Sequence, residues 1–130
     1  MKNKILILFL GISFCSIDNY NIKWLGLHVA DCTVSTSDTL VNGFFFTKLD
    51  YKVQTKPIMN WFFNINNRYT TIFNNSNNNI EFFSKRTSQP GLENQIIKTI
   101  KENGRVKYLN SNYTIENNEY NIFSLLYLIS

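Results

Sequence analysis

One histidine and two cysteines are all the imidazole and thiol that 130 residues offer for nucleophilic or metal chemistry. Zinc sites need clustered Cys and His at fixed spacings, and none is present. No glycine-rich phosphate loop and no nucleophile-elbow pattern occurs, and the carboxylates are scattered among loop-like stretches, so the sequence contains no convergent catalytic set. His28, Asp31 and Cys32 lie close together. In an unbroken strand, however, period two sends His28 and Cys32 to one face and Asp31 to the other, so the three converge only at a bulge. The expectation is a chain that is not an enzyme, with no metal and no cofactor. Charge is scarce too: 17% of residues are charged and the formal net charge is +4. With no Lys/Arg cluster, nucleic acid is excluded as a partner. No apolar run reaches the roughly 20 residues a membrane-spanning helix needs, so no transmembrane helix is expected.

What the sequence does contain begins with Lys2 and Lys4 before ILILFLGISF, Ile5 to Phe14, followed by small residues. That charged, apolar, small order is the layout of a secretory signal, and residues 1–15 are read as a signal peptide cut after Cys15. A lipoprotein signal would place a small residue before the cysteine, where Phe14 stands. Residues 16–130 then form a single domain, and a hydrophobic fraction of 44% describes a chain that folds. Losing Lys2 and Lys4 takes the formal charge from +4 to +2. Only Cys32 remains, which excludes an intramolecular disulfide and suits a small buried hydrophobe, with a dimer disulfide or a reactive thiol as alternatives.

Along the exported domain the dominant period is two. Tyr20, Ile22 and Trp24 share a face that alternation assigns to a core, and Phe45, Leu49, Tyr51 and Val53 alternate with Lys48, Asp50, Lys52 and Gln54. Leu25-Gly26, Asn42-Gly43 and Gln89-Pro90-Gly91 punctuate, and Asn74 to Asn79 is a loop tip. Asn103-Gly104, which favours the type I′ turn of a two-residue hairpin, decides for strand over helix in Asn94 to Glu102. Pro57 interrupts the alternation, and Met59, Trp61, Phe62 and Phe63 follow without period, as a loop or single helical turn. The fold class expected is mainly β: an antiparallel curved sheet or partial, open barrel, with short helical segments near 57–63 and 122–129. Such an aromatic segment over a sheet either plugs its concave face as core or shelters an apolar ligand. Tyr51, Trp61, Phe62 and Tyr69 are the candidate lining residues.

YNIKWLGLHVADCTV, Lys56, Asn67-Arg68-Tyr69, Lys85, Asn103-Gly104 and the closing NIFSLLYL follow one another in an order that resembles the exported bacterial proteins known as domain of unknown function 3108. Asp31, where that family prefers glycine, and Asn121, where it prefers an acid, depart from the pattern. The resemblance brings no activity. It implies a periplasmic, mainly antiparallel protein reminiscent of bacterial lipoprotein carriers; the apolar group expected to bind the curved sheet is a lipid or a hydrophobic part of another envelope protein. It also implies further strands after NIFSLLYL, so residues 16–130 are expected to be incomplete at the C-terminal end and to self-associate. The alternative class is a structural or interaction module whose sheet edges pair with a partner chain. An all-round apolar stretch of eight residues, Ile122 to Ile129, with Asn121 or Ser124 as N-cap, is read as a buried helix.

Overall fold

The structure is a computed structural model that describes residues 15–111, 113–116 and 119–129; residues 1–14 of the expected leader lie outside the described residues. Eight strands follow in order: β1 (Cys15–Trp24), β2 (Leu27–Val41), β3 (Phe44–Thr55), β4 (Asn66–Asn74), β5 (Ile80–Thr87), β6 (Gln95–Glu102), β7 (Arg105–Tyr108) and β8 (Thr114–Ile115). Each pairs antiparallel with its neighbours in sequence, giving one open eight-stranded sheet in the order β1 to β8. A 3₁₀ turn, Pro57–Met59, links β3 toward β4, and one helix, α1 (Ile122–Ile129), closes the chain. The mainly β expectation and both helical segments are therefore observed.

Three hairpins have two-residue turns, and in each both residues have positive φ, as type I′ requires. At Asn42-Gly43 (φ 51° and 81°) and Asn103-Gly104 (51° and 76°) the residues suit that backbone. Leu25-Gly26 adopts it as well, with Leu25 at φ 49°. Strand pairing on both sides over-determines a conformation that leucine disfavours alone.

Alternation divides the sheet into two faces. The inner face, which carries α1, holds the core: Leu49 and Thr71 are fully buried opposite each other on β3 and β4, beside Thr47, Phe73 and Phe83. Threonine in such a core needs its hydroxyl satisfied. Thr99 meets this where β6 leaves β5 for β7: its Oγ1 accepts the Phe83 N–H at 2.7 Å and donates to the Phe83 carbonyl at 3.2 Å. The face of β1 assigned to a core by its alternation is instead open, with Tyr20 56% and Ile22 39% exposed. An eight-residue helix is about 12 Å long and seats on β3 and β4, so it does not reach across an edge strand.

The outer face is polar, and its best-organised group is Asp50. Burial raises its carboxyl pKa, but hydrogen bonds from Arg68, Thr70 and Lys48 outweigh this and lower it from 3.8 to about 2. The Arg68 fork reaches both carboxylate oxygens, at 3.1 and 2.8 Å. Because the folded-state pKa is depressed, this stabilisation is present above about pH 4 and is lost as pH falls through about 2. Discounted for the exposed partners, it amounts to about 1–2 kcal/mol. Asp50→Asn should lower stability by that amount at pH 7 in urea titrations, and the gap to wild type should close by about pH 2.

Candidate functional site

The aromatic candidates form two separate groups. Tyr51 and Tyr69 face each other across β3 and β4, and the ring of Phe123 from α1 lies against both, with centroids 4.7 and 4.5 Å away. The plug over this part of the sheet is thus the helix, where the aromatic segment after Pro57 was expected. Trp61 and Phe62 pack on each other at 5.4 Å, beyond the end of β3, and are 89% and 72% exposed. Tyr51 lies four residues before Thr55, about 13 Å along the strand, so the four candidates do not converge. Pro57 explains the break: it has no amide N–H to give a ladder, so β3 stops at Thr55 and does not run on through the aromatic segment.

Asn121 fixes α1 in place. Its Oδ1 accepts the Ser124 N–H at 2.8 Å, the N-cap bond expected, and its Nδ2 donates to buried Thr71 Oγ1 at 2.8 Å. Phe123 then points into the Tyr51–Tyr69 slot, Ser124 is fully buried, and Tyr127 contacts Phe73 at 5.5 Å. The remaining helix residues, Ile122, Leu125, Leu126, Leu128 and Ile129, stay exposed. The expected burial is therefore met on one side of the helix only.

Beside α1, toward the sheet edge, is a groove of about 370 Å³. Tyr20, Cys32, Val34 and Tyr51 form its floor, Leu126 and Tyr127 one wall, and Ser16, Asp18 and Thr36 its outer rim. Its size lies at the small end of ligand pockets, and apolar side chains lining a cleft with a few polar rim groups are the usual composition of such sites. Burial raises the pKa of the Cys32 thiol, and burial also raises that of the Tyr51 hydroxyl, with Cys32 and Tyr20 adding to it. Both groups are thereby kept neutral. A neutral, half-buried thiol is a poor nucleophile and behaves as an apolar surface.

His28 and Asp31 do meet, against the face assignment of an unbroken strand. The ladder between β1 and β2 pairs Ile22 with Ala30 and Lys23 with His28, so Val29 is the extra residue of a bulge. That slip turns His28 onto the face of Asp31, with Nε2 2.6 Å from Asp31 Oδ1, while Lys56 Nζ lies 2.6 Å from Oδ2. The hydrogen bond from Lys56, with a further one from His28, overcomes burial and keeps the Asp31 carboxyl below its ordinary range. Cys32 remains on the other face, in the groove, so the trio contains no nucleophile. With both its oxygens engaged, Asp31 ties the bulge to the β3 exit, where the Lys56 N–H also bonds the Val29 carbonyl at 2.9 Å. Neither His28 nor Asp31 lines the groove.

Among the described residues there is no group of His, Cys, Asp and Glu able to hold a metal, and no helix is long and apolar enough to cross a membrane. In comparisons with known proteins, no family model, no curated protein and no solved structure matches the chain.

Proposed function

We propose that this chain is an exported, non-enzymatic envelope protein of the kind its sequence resembles, periplasmic in location, which holds an apolar group, a lipid chain or an apolar segment of another envelope protein, in the groove between α1 and β1–β3. The observation that carries this reading is the groove itself: a cleft of about 370 Å³ walled by Leu126 and Tyr127 and floored by Tyr20, Cys32 and Val34, on the one face where a helix stands over the sheet without covering it. Burying each methylene there is worth about 0.8 kcal/mol.

The test is binding of an environment-sensitive apolar dye. Cys32→Phe fills the groove floor and should weaken binding about tenfold, the equivalent of about 1.4 kcal/mol. Trp61→Ala, outside the groove, should leave it unchanged. Dye binding that ignores Cys32→Phe, or that Trp61→Ala abolishes, would remove the reading.

A second reading, an interaction module pairing through its sheet edge, is favoured by β1: ten residues long, exposed throughout, and with β2 as its one neighbour among the described residues. An edge of that length offers backbone groups to another chain.

A further inference from the structure

Alternate connections of an antiparallel meander fall at opposite ends of the sheet. The β1–β2 turn, the β3–β4 connection (residues 56–65) and the β5–β6 connection (residues 88–94) therefore share one end. Hydrogen bonds tie the two longer ones to the strands beside them: the Lys56 N–H donates to the Val29 carbonyl and the Asn66 N–H to the Ser88 carbonyl, each at 2.9 Å. Neighbouring strands lie about 4.8 Å apart, so successive connections stand about 10 Å from one another. The opposite end turns on asparagine, at Asn42-Gly43, in residues 75–79 and at Asn103-Gly104. The first end instead presents Leu25, Ile58, Trp61, Phe62 and Leu92, all exposed, with Trp24 exposed beside the first turn.

Neither backbone preference nor packing accounts for these residues. Leu25 holds the place that Asn42 and Asn103 hold in the other two type I′ hairpins, at nearly the same positive φ, where asparagine is favoured and leucine is not. It is 83% exposed, so burial does not compensate the strain. Trp61 and Phe62 pack on each other and stay open to water. Behind the tips, on the outer face, Lys52, Arg68 and Arg86 stand directly opposite one another across β3, β4 and β5. Like charges so placed repel. Asp50 offsets Arg68, whereas Lys52 and Arg86 form no ion pair among the described residues. The connections add Lys56, engaged by Asp31, and one acid, Glu93.

We infer that this end of the sheet seats on the surface of a bilayer containing anionic phospholipid, with the apolar tips at headgroup level and the outer face leaning in so that the basic row meets lipid phosphates. The occupant is a lipid surface because the apolar residues are separate points. Polar Asn60, Asn64 and Gln89 lie between them, whereas a protein partner meets a continuous apolar patch. A fluid interface closes around separate projections, and tryptophan favours its headgroup level. Lysine and arginine gain from anionic headgroups, which gives the repelling row its counter-charge. The inference goes beyond the groove and stands apart from it, since none of these residues lines it.

The two tryptophans of the chain, Trp24 and Trp61, both stand at this end and report on it directly. With vesicles of phosphatidylcholine and phosphatidylglycerol, the fluorescence of the exported chain should shift to the blue and the protein should co-sediment. Pure phosphatidylcholine should bind it about tenfold or more weakly, and high salt should reverse most of the binding. Trp61→Ala and Leu25→Asn should each weaken binding about tenfold, and Leu25→Asn should do so without loss of stability in urea, because asparagine suits the turn. Lys52→Gln combined with Arg86→Gln should weaken it about tenfold or more. Phe44→Ser, which removes an exposed aromatic from the opposite end, should change nothing.

Full binding by Trp61→Ala and Leu25→Asn, an equal loss in Phe44→Ser, or binding indifferent to lipid charge and salt would overturn the inference. Self-association without lipid that Trp61→Ala abolishes would overturn it too, because the tips would then meet protein. Absence of vesicle binding beside normal binding of the apolar dye would overturn this surface and leave the groove reading standing.

Discussion

Phe123→Ala should lower the stability of the domain by about 2–3 kcal/mol and unseat α1. The expectation follows from how little else holds the helix. Of its eight residues, Ser124 is fully buried and Phe123 half-buried, while the apolar residues from Leu125 onward are substantially exposed. Phe123 fills the slot between Tyr51 and Tyr69, and a buried phenylalanine truncated to alanine costs about 3–5 kcal/mol, a half-buried one proportionately less. An isolated eight-residue helix is not stable in water, so losing its anchor should release it as a unit. Urea titration gives the energy. Loss of helical signal in far-UV circular dichroism below the main transition shows the release, and apolar dye binding should fall with it because Leu126 and Tyr127 leave the groove. A variant that keeps its helix signal up to the main transition would show that Phe123 is not the anchor.

Asn121→Ala should cost a comparable 2–3 kcal/mol, through a different mechanism. It removes the N-cap bond to Ser124, worth about 1 kcal/mol, and strips a partner from the hydroxyl of Thr71, a fully buried group whose unsatisfied state costs about 1–3 kcal/mol. Asn121→Asp separates the two contributions. A carboxylate still accepts from Ser124, gains from the positive end of the helix, and can accept the Thr71 hydroxyl proton if that group rotates. Near wild-type stability for Asp beside a large loss for Ala is the expected pattern in urea titrations. Equal losses would show that Thr71 needs a donor, and that the amide at this position cannot be exchanged for an acid.

These two predictions fall on the segment whose structure the sequence came closest to stating. A run apolar on all sides, preceded by Asn, specifies a capped helix, because the cap bond and the helical repeat are local. Local chemistry likewise accounts for the Asn-Gly hairpins and for the strand alternation of β3, whose polar and apolar residues divide between two faces. Pro57 marks the break after β3 for the same reason. The two-residue strand β8 carries no such pattern and was not legible.

What the site contains was less legible, because its members are joined by pairing across strands. Alternation assigned His28 and Asp31 to opposite faces, and the bulge at Val29 reversed this; the bulge exists only in the register of β2 against β1. Tyr51 and Tyr69 were identified as lining residues, but their partner is Phe123, more than 50 residues away in the chain. Trp61 and Phe62, the most conspicuous aromatic pair in the sequence, lie outside the groove.

By itself, then, the sequence determined the mainly β class, the tight hairpins and the capped helix, since each depends on side chains a few residues apart and on backbone preferences that act wherever the chain lies. Only the tertiary structure decided that α1 seats its one phenylalanine between Tyr51 and Tyr69, that a groove remains beside it, and that β1 has β2 as its one neighbour among the described residues. Those outcomes depend on strand register and on where an eight-residue helix of about 12 Å runs out over a wider sheet, and no local rule encodes either.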